Sequence, residues 1–592
     1  MQCWEDPLMS HLRPIIYEMG YNKDVINQDI IKEDDKKYIL SYPTVYIVQD
    51  VDRHAGYSVY VGETSDIKRR TIEHISIDSK ERSDWRELAD SESAEMYVIG
   101  HEHFNKSMTL DIENKMMQYL ASVDVVKKVN NRRTNQQNMY YSYDEMEEIF
   151  SKIWRKLRTF DPKLFPLEKT IRDSALFKAS PFHKLTEEQL ASKDKIMRRI
   201  ETNLANKAGV GTLIVVEGDA GSGKSVLMSS LFYELNQLAK ENSETQQLKG
   251  TSQFLLVNHD QQLTVYEEIA KKLDILTHDG QKTVLKPTPF INAHPQEEPV
   301  DVVIVDEAHL LLTQGKQSYT GKNQLDDLLQ RARVVVAVFD RKQILSREQY
   351  WTPEQLETLL AKVKSEGNHI ALNKQLRINP GQSKIDWIRN LVDLNTIGTL
   401  PNKDSKGYEI RFFNSPDELQ KAIFEKAQNE DSGISRLLAT FDWPYSGNRD
   451  NEGQPWYVKI GDWQMLWNLQ SKLTRQQKRL NKGLAWAEQP QTLNEVGSTF
   501  TIQGFDLNYA GVIIGPSVKY RNGRIVFDKS QSENSKAKQR RSLDSGLKID
   551  VSEEMLNNEL NVLLSRGVNG LYIYAVDDAL RAALQSEEIK YE

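Results

Sequence analysis

Eight residues constrain this chain more than any others: Gly218 through Ser225, GDAGSGKS, which fit the pattern G-x-x-x-x-G-K-S. They follow the apolar run 212–217 (TLIVVE) and precede a segment of helical character, the strand–loop–helix context the pattern needs. Glycines at 218, 221 and 223 let backbone N–H groups wrap phosphates. Lys224 reaches the outer phosphates, and the Ser225 hydroxyl is the expected Mg²⁺ ligand. ATP with Mg²⁺ is therefore the expected cofactor pair.

Such a loop needs a second carboxylate from a buried strand. The run 300–309 (VDVVIVDEAH) supplies it: four apolar residues deliver Asp306 to the metal, and Glu307 is placed to orient the attacking water. Further apolar runs at 253–257, 333–338, 368–372, 409–413, 435–440, 511–514 and 571–575 alternate with helical stretches. That alternation predicts an α/β fold with parallel sheets buried on both faces. Ahead of it, 44–51 (TVYIVQDV) and 57–62 (YSVYVG) read as a β-hairpin, with another strand at 95–99 and a helix through LDIENKMMQYL. This is a small α+β domain.

At 592 residues, several domains are expected. Net charge is 77 − 85 = −8, so nucleic acid would have to be held by local patches such as Lys68–Arg70, Lys127–Arg133 or Lys536–Arg541. One cysteine, Cys3, excludes an internal disulfide and a Cys-rich zinc site. No apolar run reaches bilayer length and no secretory signal is visible, so the cytoplasm is the expected compartment and no membrane partner is expected. The Ser-, Lys- and Arg-rich stretch 529–546 reads as a mobile loop.

The order of further motifs resembles superfamily 1 helicases, most closely the Schlafen-type helicase domain, over residues 185–592. Under that resemblance Gln189 in LTEEQ is the adenine reader, and LVNHDQQL (256–263) touches the nucleic-acid strand. Gln343 in FDRKQIL senses the γ-phosphate, Arg377 in KQLRI is an arginine finger, and Arg566 in NVLLSRGVNGLYIYA is a second one. The segment 498–515 couples nucleic acid to nucleotide. The resemblance implies two RecA-like lobes, 185–365 and 366–592, with little room for the large inserts of processive helicases.

Tyr46 in VYI and Tyr60 in YVG, followed by DIKRRTIEH, resemble the GIY-YIG endonuclease family over about residues 41–140. The family's arginine falls on Arg70, its histidine on His74, its metal-binding glutamate on Glu113 and its closing asparagine on Asn131, with Asn130 the alternative. Thr44 replaces the first glycine, which suits an ordinary strand. A tyrosine with a pKa near ~10 can act as a base only if a cation or metal stabilises its phenolate.

The remaining parts are an N-terminal extension (1–40) and a helical connector (141–184). In the connector, Met146, Ile149, Phe150, Ile153, Trp154 and Leu157 recur at helical spacing, and could complete the first domain or dock it on the next. Five tryptophans, Trp443, Trp456, Trp463, Trp467 and Trp486, fit either core packing or base stacking. Together these features predict an ATP-driven nucleic-acid translocase or helicase fused to a metal-dependent endonuclease, with DNA expected over RNA. Antiviral defence or DNA repair follows by fold-level analogy, and protein partners are left open. The rival expectations are a nucleotide-switched binding protein whose first module does not cut, and a protein-remodelling ATPase.

Overall fold

The computed structural model describes residues 13–21, 30–52, 56–81, 83–130, 140–206, 209–218, 221–240, 247–276, 280–316, 319–372, 382–401, 407–429, 433–447, 452–543 and 545–589. The chain forms two compact units. The first is Met1–Thr186 with Ser229–Lys240 and Tyr266–Thr283; the second is Glu187–Met228, Glu241–Val265 and Val284–Glu592.

The first unit is built on a five-stranded sheet in the order β1-β4-β2-β3-β5. Its strands are β1 (Ile15–Gly20), β2 (Thr44–Asp52), β3 (Gly56–Thr64), β4 (Glu95–Gly100) and β5 (Val126–Asn130). β2 and β3 are the expected hairpin, antiparallel from Thr44↔Thr64 to Asp52↔Gly56. Thr44 is ordinary buried strand. Gly62 has a specific reason to be glycine: a Cβ there would lie 2.5 Å from Cζ of Tyr46, whose ring crosses the strand. The stretch read as an extension supplies β1, antiparallel to β4.

The connector's apolar stripe becomes the helix Met146–Phe160, and all six of its residues are buried. Within the unit, Phe150 and Trp154 pack edge-on against Tyr119, and the Trp154 indole donates to the Pro166 carbonyl at 2.7 Å. The stripe thus completes the first unit's own core. Lys272, also in this unit, is 1% exposed and donates to the carbonyls of Ala121 and Val123, capping the helix Lys106–Ala121. Four C-terminal carbonyls of any helix lack intrahelical donors, so a buried ammonium there is well placed.

The second unit holds both parallel sheets. The first runs β11-β6-β10-β9-β7-β8: β6 (Thr212–Gly218), β7 (Gln253–Val257), β8 (Val284–Leu285), β9 (Val300–Asp306), β10 (Ala332–Phe339) and β11 (His369–Leu372). The second runs β12-β22-β17-β13-β16-β15-β14. It comprises β12 (Glu409–Phe412), β13 (Ser435–Ala439), β14 (Tyr457–Ile460), β15 (Trp463–Trp467), β16 (Glu495–Gly497), β17 (Leu507–Ile514) and β22 (Gly567–Ala575), with β14 antiparallel. A hairpin of β18 (Val518–Arg521) and β19 (Arg524–Phe527) and a small pair of β20 (Arg541–Ser542) and β21 (Lys548–Ile549) precede β22. Among the described residues no helix is long and apolar enough to cross a membrane.

Two expectations are decided here. Trp443, Trp463, Trp467 and Trp486 are buried and Trp456 packs against the same core, so the tryptophans are packing residues of the second lobe. The stretch 529–546 is not simply a mobile loop. Ala537 is fully buried in the core of the first parallel sheet, and the Arg541 guanidinium donates to the carbonyls of Arg347 and Thr313. Its basic residues hide part of a packed element.

The second lobe also buries two carboxyls together. Burial pushes Glu559 up to about 7, with Asp442 adding to it, and pushes Asp442 up to about 6. The folded state therefore binds more protons than the unfolded chain between about pH 4 and 7. Their contribution to stability is full at the acid end of that window and is lost as pH rises through about 7. Urea midpoints at pH 5 and pH 8 should differ in that direction, and Glu559→Gln should shrink the difference; an unaltered slope in the variant would refute the assignment.

Candidate functional site

In the second unit the phosphate loop closes β6 and opens the helix Lys224–Leu238. Asp219 and Ala220 lie outside the described residues. Gly221 (φ 90) and Gly223 (φ 78) hold left-handed backbone that side-chain-bearing residues rarely adopt. At Gly218 a Cβ would come within 2.5 Å of Ser222 Oγ and 2.9 Å of the Leu372 carbonyl. This tight turn, followed by a helix N-terminus, is the shape and polarity a polyphosphate needs. Ser225, half-buried, is the second residue of that helix.

Lys224 is buried, donating to the Gly218 carbonyl at 2.5 Å and standing 3.5 Å from Asp340. Burial raises Asp340, but Lys224, His309 and the Gln343 amide outweigh it, and its pKa lies below the ordinary value. Asp306, at the end of β9, is fully buried; it accepts from Gln262 Nε2 at 2.8 Å and from the Glu307 backbone N–H at 3.0 Å. Glu307 has φ 53, a left-handed conformation unusual for a glutamate, and such strain collects at functional sites. Its carboxylate is 3.3 Å from His309 Nε2, and burial pushes that imidazole down to about 4, so it is neutral near pH 7. Serine and carboxylate oxygens suit Mg²⁺, and the loop glycines suit ATP phosphates.

Gln189, on the helix Glu187–Ala205, donates its amide to the Gly223 carbonyl at 3.2 Å and so reaches the phosphate loop. Gln343 donates to Asp340 at 2.7 Å and faces Arg566, whose Nη2 is 3.4 Å from its Oε1. Arg566 is 1% exposed, with Nε on the Val562 carbonyl. Arg377 lies outside the described residues. Sequence reasoning did not single out Gln262 or Asp340, although both stand inside motifs it quoted.

In the first unit a second constellation forms. Tyr46 on β2 and Tyr60 on β3 stack with ring centroids 6.0 Å apart. The Tyr46 hydroxyl is 2.8 Å from His74 Nε2. His74 opens a π-helical turn, His74–Asp78, after the helix Ile67–Glu73, and its Nδ1 is 2.6 Å from Asp78 Oδ2. Arg70 reaches Glu73 at 3.3 Å and Asp78 at 3.8 Å. Burial raises Tyr46 well above its ordinary pKa, with Tyr60 and Glu113 adding to the rise, while Arg70 pulls the other way and hydrogen-bonds it. Glu113 is buried in the helix Lys106–Ala121. Asn131 lies outside the described residues, whereas Asn130 ends β5 in register with Tyr60. Among the described residues no three His, Cys, Asp or Glu side chains form a metal cage, so a metal here would rest on Glu113 and on water or phosphate oxygens.

Residues 211–577 match the family described as Schlafen group 3, DNA/RNA helicase domain. An uncharacterized protein of Saccharomyces cerevisiae is 32% identical over 427 residues, a match covering 68% of this chain and 90% of that protein. Among solved structures, S. cerevisiae Dbp5 bound to RNA and ADP BeF3 matches over 69% of this chain and 91% of its own, at 13% identity. Its TM-score is 0.26, too low for that likeness to decide anything.

The Lys224–Asp340 pair yields a test of the site's architecture. Removing one partner of a buried pair costs about 3–5 kcal/mol, because the other charge is left without compensation. Asp340→Ala should therefore lower the urea midpoint of the full chain substantially, while Asp393→Ala, at a half-exposed pair with Lys342, should hardly move it. Equal effects would show that the Lys224 charge is compensated elsewhere.

Proposed function

This chain belongs to the Schlafen group 3 helicase family, and on that premise we propose that it is an ATP-dependent nucleic-acid translocase or helicase joined to a metal-dependent endonuclease of GIY-YIG type. The motor reading is carried by one observation: Lys224 of the phosphate loop, Asp340, Gln343 and Arg566 form one connected network, and His309, beside Glu307, lies within electrostatic reach of Lys224, Asp340, Asp306 and Arg566. Ser225 and Asp306 would hold Mg²⁺, which would supply positive charge to offset that of the outer phosphates. Lys224 would hold the phosphates, and Glu307 would orient the attacking water. Arg566, and Arg377 by resemblance, would stabilise the charge developing on the transferred phosphoryl group. Gln189 would read the adenine.

The nuclease reading is supported by the meeting of Tyr46, Tyr60, Arg70 and His74 at one place, with Glu113 near enough to act on Tyr46. Arg70 would neutralise charge on the scissile phosphate and Glu113 would hold a hydrated metal against it. One observation favours the rival, a module that binds without cutting. Tyr46 is 2% exposed and His74 is fully buried, so a substrate phosphate would approach through Arg70, the most open of these groups. DNA is the first substrate to test and RNA the second, and a place in defence or repair would follow by analogy with other motor–nuclease fusions.

Two variants test the motor. Lys224→Ala should abolish ATP turnover. Glu307→Gln should abolish turnover while still binding nucleotide, and wild-type turnover should rise with single-stranded nucleic acid. Steady-state hydrolysis surviving in Lys224→Ala would overturn the site.

Cleavage is tested separately, on plasmid DNA and on RNA, with and without Mg²⁺. Glu113→Ala should eliminate metal-dependent nicking and Arg70→Ala should remove most of it, with ATP hydrolysis intact in both. Full nicking by Glu113→Ala would exclude the nuclease assignment. Failure of the wild type to cut either substrate would favour the binding module.

A further inference from the structure

The histidine in the first unit is held by a residue that the resemblance does not assign. His74 Nδ1 lies 2.6 Å from Asp78 Oδ2, and a carboxylate can only accept. In the neutral imidazole the proton therefore sits on Nδ1, and the Nε2 lone pair is turned to the Tyr46 hydroxyl 2.8 Å away. The Trp85 ring stacks on the imidazole at 3.6 Å between centroids and 18° between planes, which fixes the plane of the ring. A half-turn flip within that plane would turn carbon atoms to Asp78 and Tyr46 and lose both hydrogen bonds. Trp85 itself is fully buried. The same Asp78 oxygen stands 3.8 Å from Arg70 Nη1, so one carboxylate faces both the imidazole and the guanidinium. The turn that brings His74 and Asp78 together is π-helical, a rare geometry frequent at functional sites.

We propose that Asp78 is a positioning residue: it fixes the His74 tautomer and aims Nε2 at the Tyr46 hydroxyl, completing an Asp78–His74–Tyr46 relay. The use of that relay rests on the nuclease reading; the tautomer does not. In the relay the Tyr46 O–H bond breaks and an Nε2–H bond forms on His74. The resulting imidazolium faces Asp78, the phenolate faces Arg70, and the proton returns by the reverse path. Asp78 transfers no proton and touches no substrate.

The test uses the full chain and the isosteric Asp78→Asn, which keeps shape and removes charge. If wild type nicks plasmid DNA, the variant should be slower by about 10²-fold, the scale of a general-base contribution, with an unchanged melting temperature. A structural role would move the melting temperature and spare the rate. Wild-type nicking with an equally fast Asp78→Asn would overturn the relay and leave the nuclease reading standing. The tautomer is read independently of any cleavage, from long-range ¹⁵N–¹H correlations in ¹⁵N-histidine-labelled protein, with His74 assigned by its loss in His74→Gln. Wild type should show the neutral Nδ1–H form, and Asp78→Ala should show a mixture. An Nε2–H tautomer in wild type, or an unchanged pattern in Asp78→Ala, would refute the assignment even if the protein cuts nothing.

Discussion

One buried ammonium organises the second unit. Lys224 is withdrawn from water at the head of its helix, and a buried cation is tolerable only where a carboxylate and hydrogen-bond acceptors meet it. Asp340 supplies the carboxylate and the Gly218 carbonyl an acceptor. That requirement fixes the end of β10 against the end of β6, two strands adjacent in the sheet with Val338↔Val216 and Phe339↔Glu217 in register. From Asp340 the network continues outward. Gln343 donates to it, Arg566 reaches Gln343, and Arg566 belongs to the turn that leads into β22 of the other sheet. Charge compensation at one lysine is thus connected, through two amide and guanidinium contacts, to the second lobe.

The first unit follows a different rule. Its constellation is aromatic, and burial more than charge sets its chemistry. Tyr60 and Trp85 lie 4.2 Å apart, Trp85 and His74 3.6 Å, and Tyr46 closes the group. Dry surroundings raise a phenol's pKa, so Tyr46 is a poor phenolate on its own. In the proposed relay His74, accepting from that hydroxyl with Arg70 beside it, would meet the need for a base without requiring a free phenolate. On the nuclease reading, burial would favour a histidine-assisted reaction over one in which tyrosine acts alone, by the same desolvation that makes the module look like an ordinary core.

What could be seen in the sequence depended on how local the cause was. β6, β9 and β10 were legible because strands buried on both faces are apolar throughout, and the phosphate loop was legible because its glycines need left-handed backbone. β1 (IIYEMG) was not: it is an edge strand of six residues whose partner β4 is far along the chain, and nothing local marks that pairing. β5 (VKKVN) carries lysines that read as a solvated patch. Asp78 follows His74 by one helical turn and could have been found by that spacing, but Trp85 approaches it only through the fold. The basic stretch around Lys536 misled because composition reports charge and not the residues buried within it, Ser532, Asn534, Ala537 and Arg541. Asn131 and Arg377 lie outside the described residues and remain expectations of the resemblance.

The two lobes share apolar core as well as charge. Val551, Met555 and Leu556, at the start of the helix Ser552–Leu564, are buried in the same core as Val303, Val335 and Phe339 of the first parallel sheet. On the same helix Asn558 and Asn561 donate to the carbonyls of Ile344 and Lys342, holding the turn Arg341–Gln343. Exposing a side chain such as Met555 or Leu556 costs about 1.5–3 kcal/mol, and each asparagine bond adds about 1 kcal/mol. A wide separation of the lobes would forfeit all of these together. Small rotations of the helix that keep its apolar face buried would forfeit few of them. Those rotations would still move Arg566, which is hydrogen-bonded to the last turn of that helix through Val562, relative to Gln343. In this packing the inexpensive motion is the one that shifts Arg566 against Gln343, and on the motor reading such a shift would fall on the atoms where nucleotide is sensed.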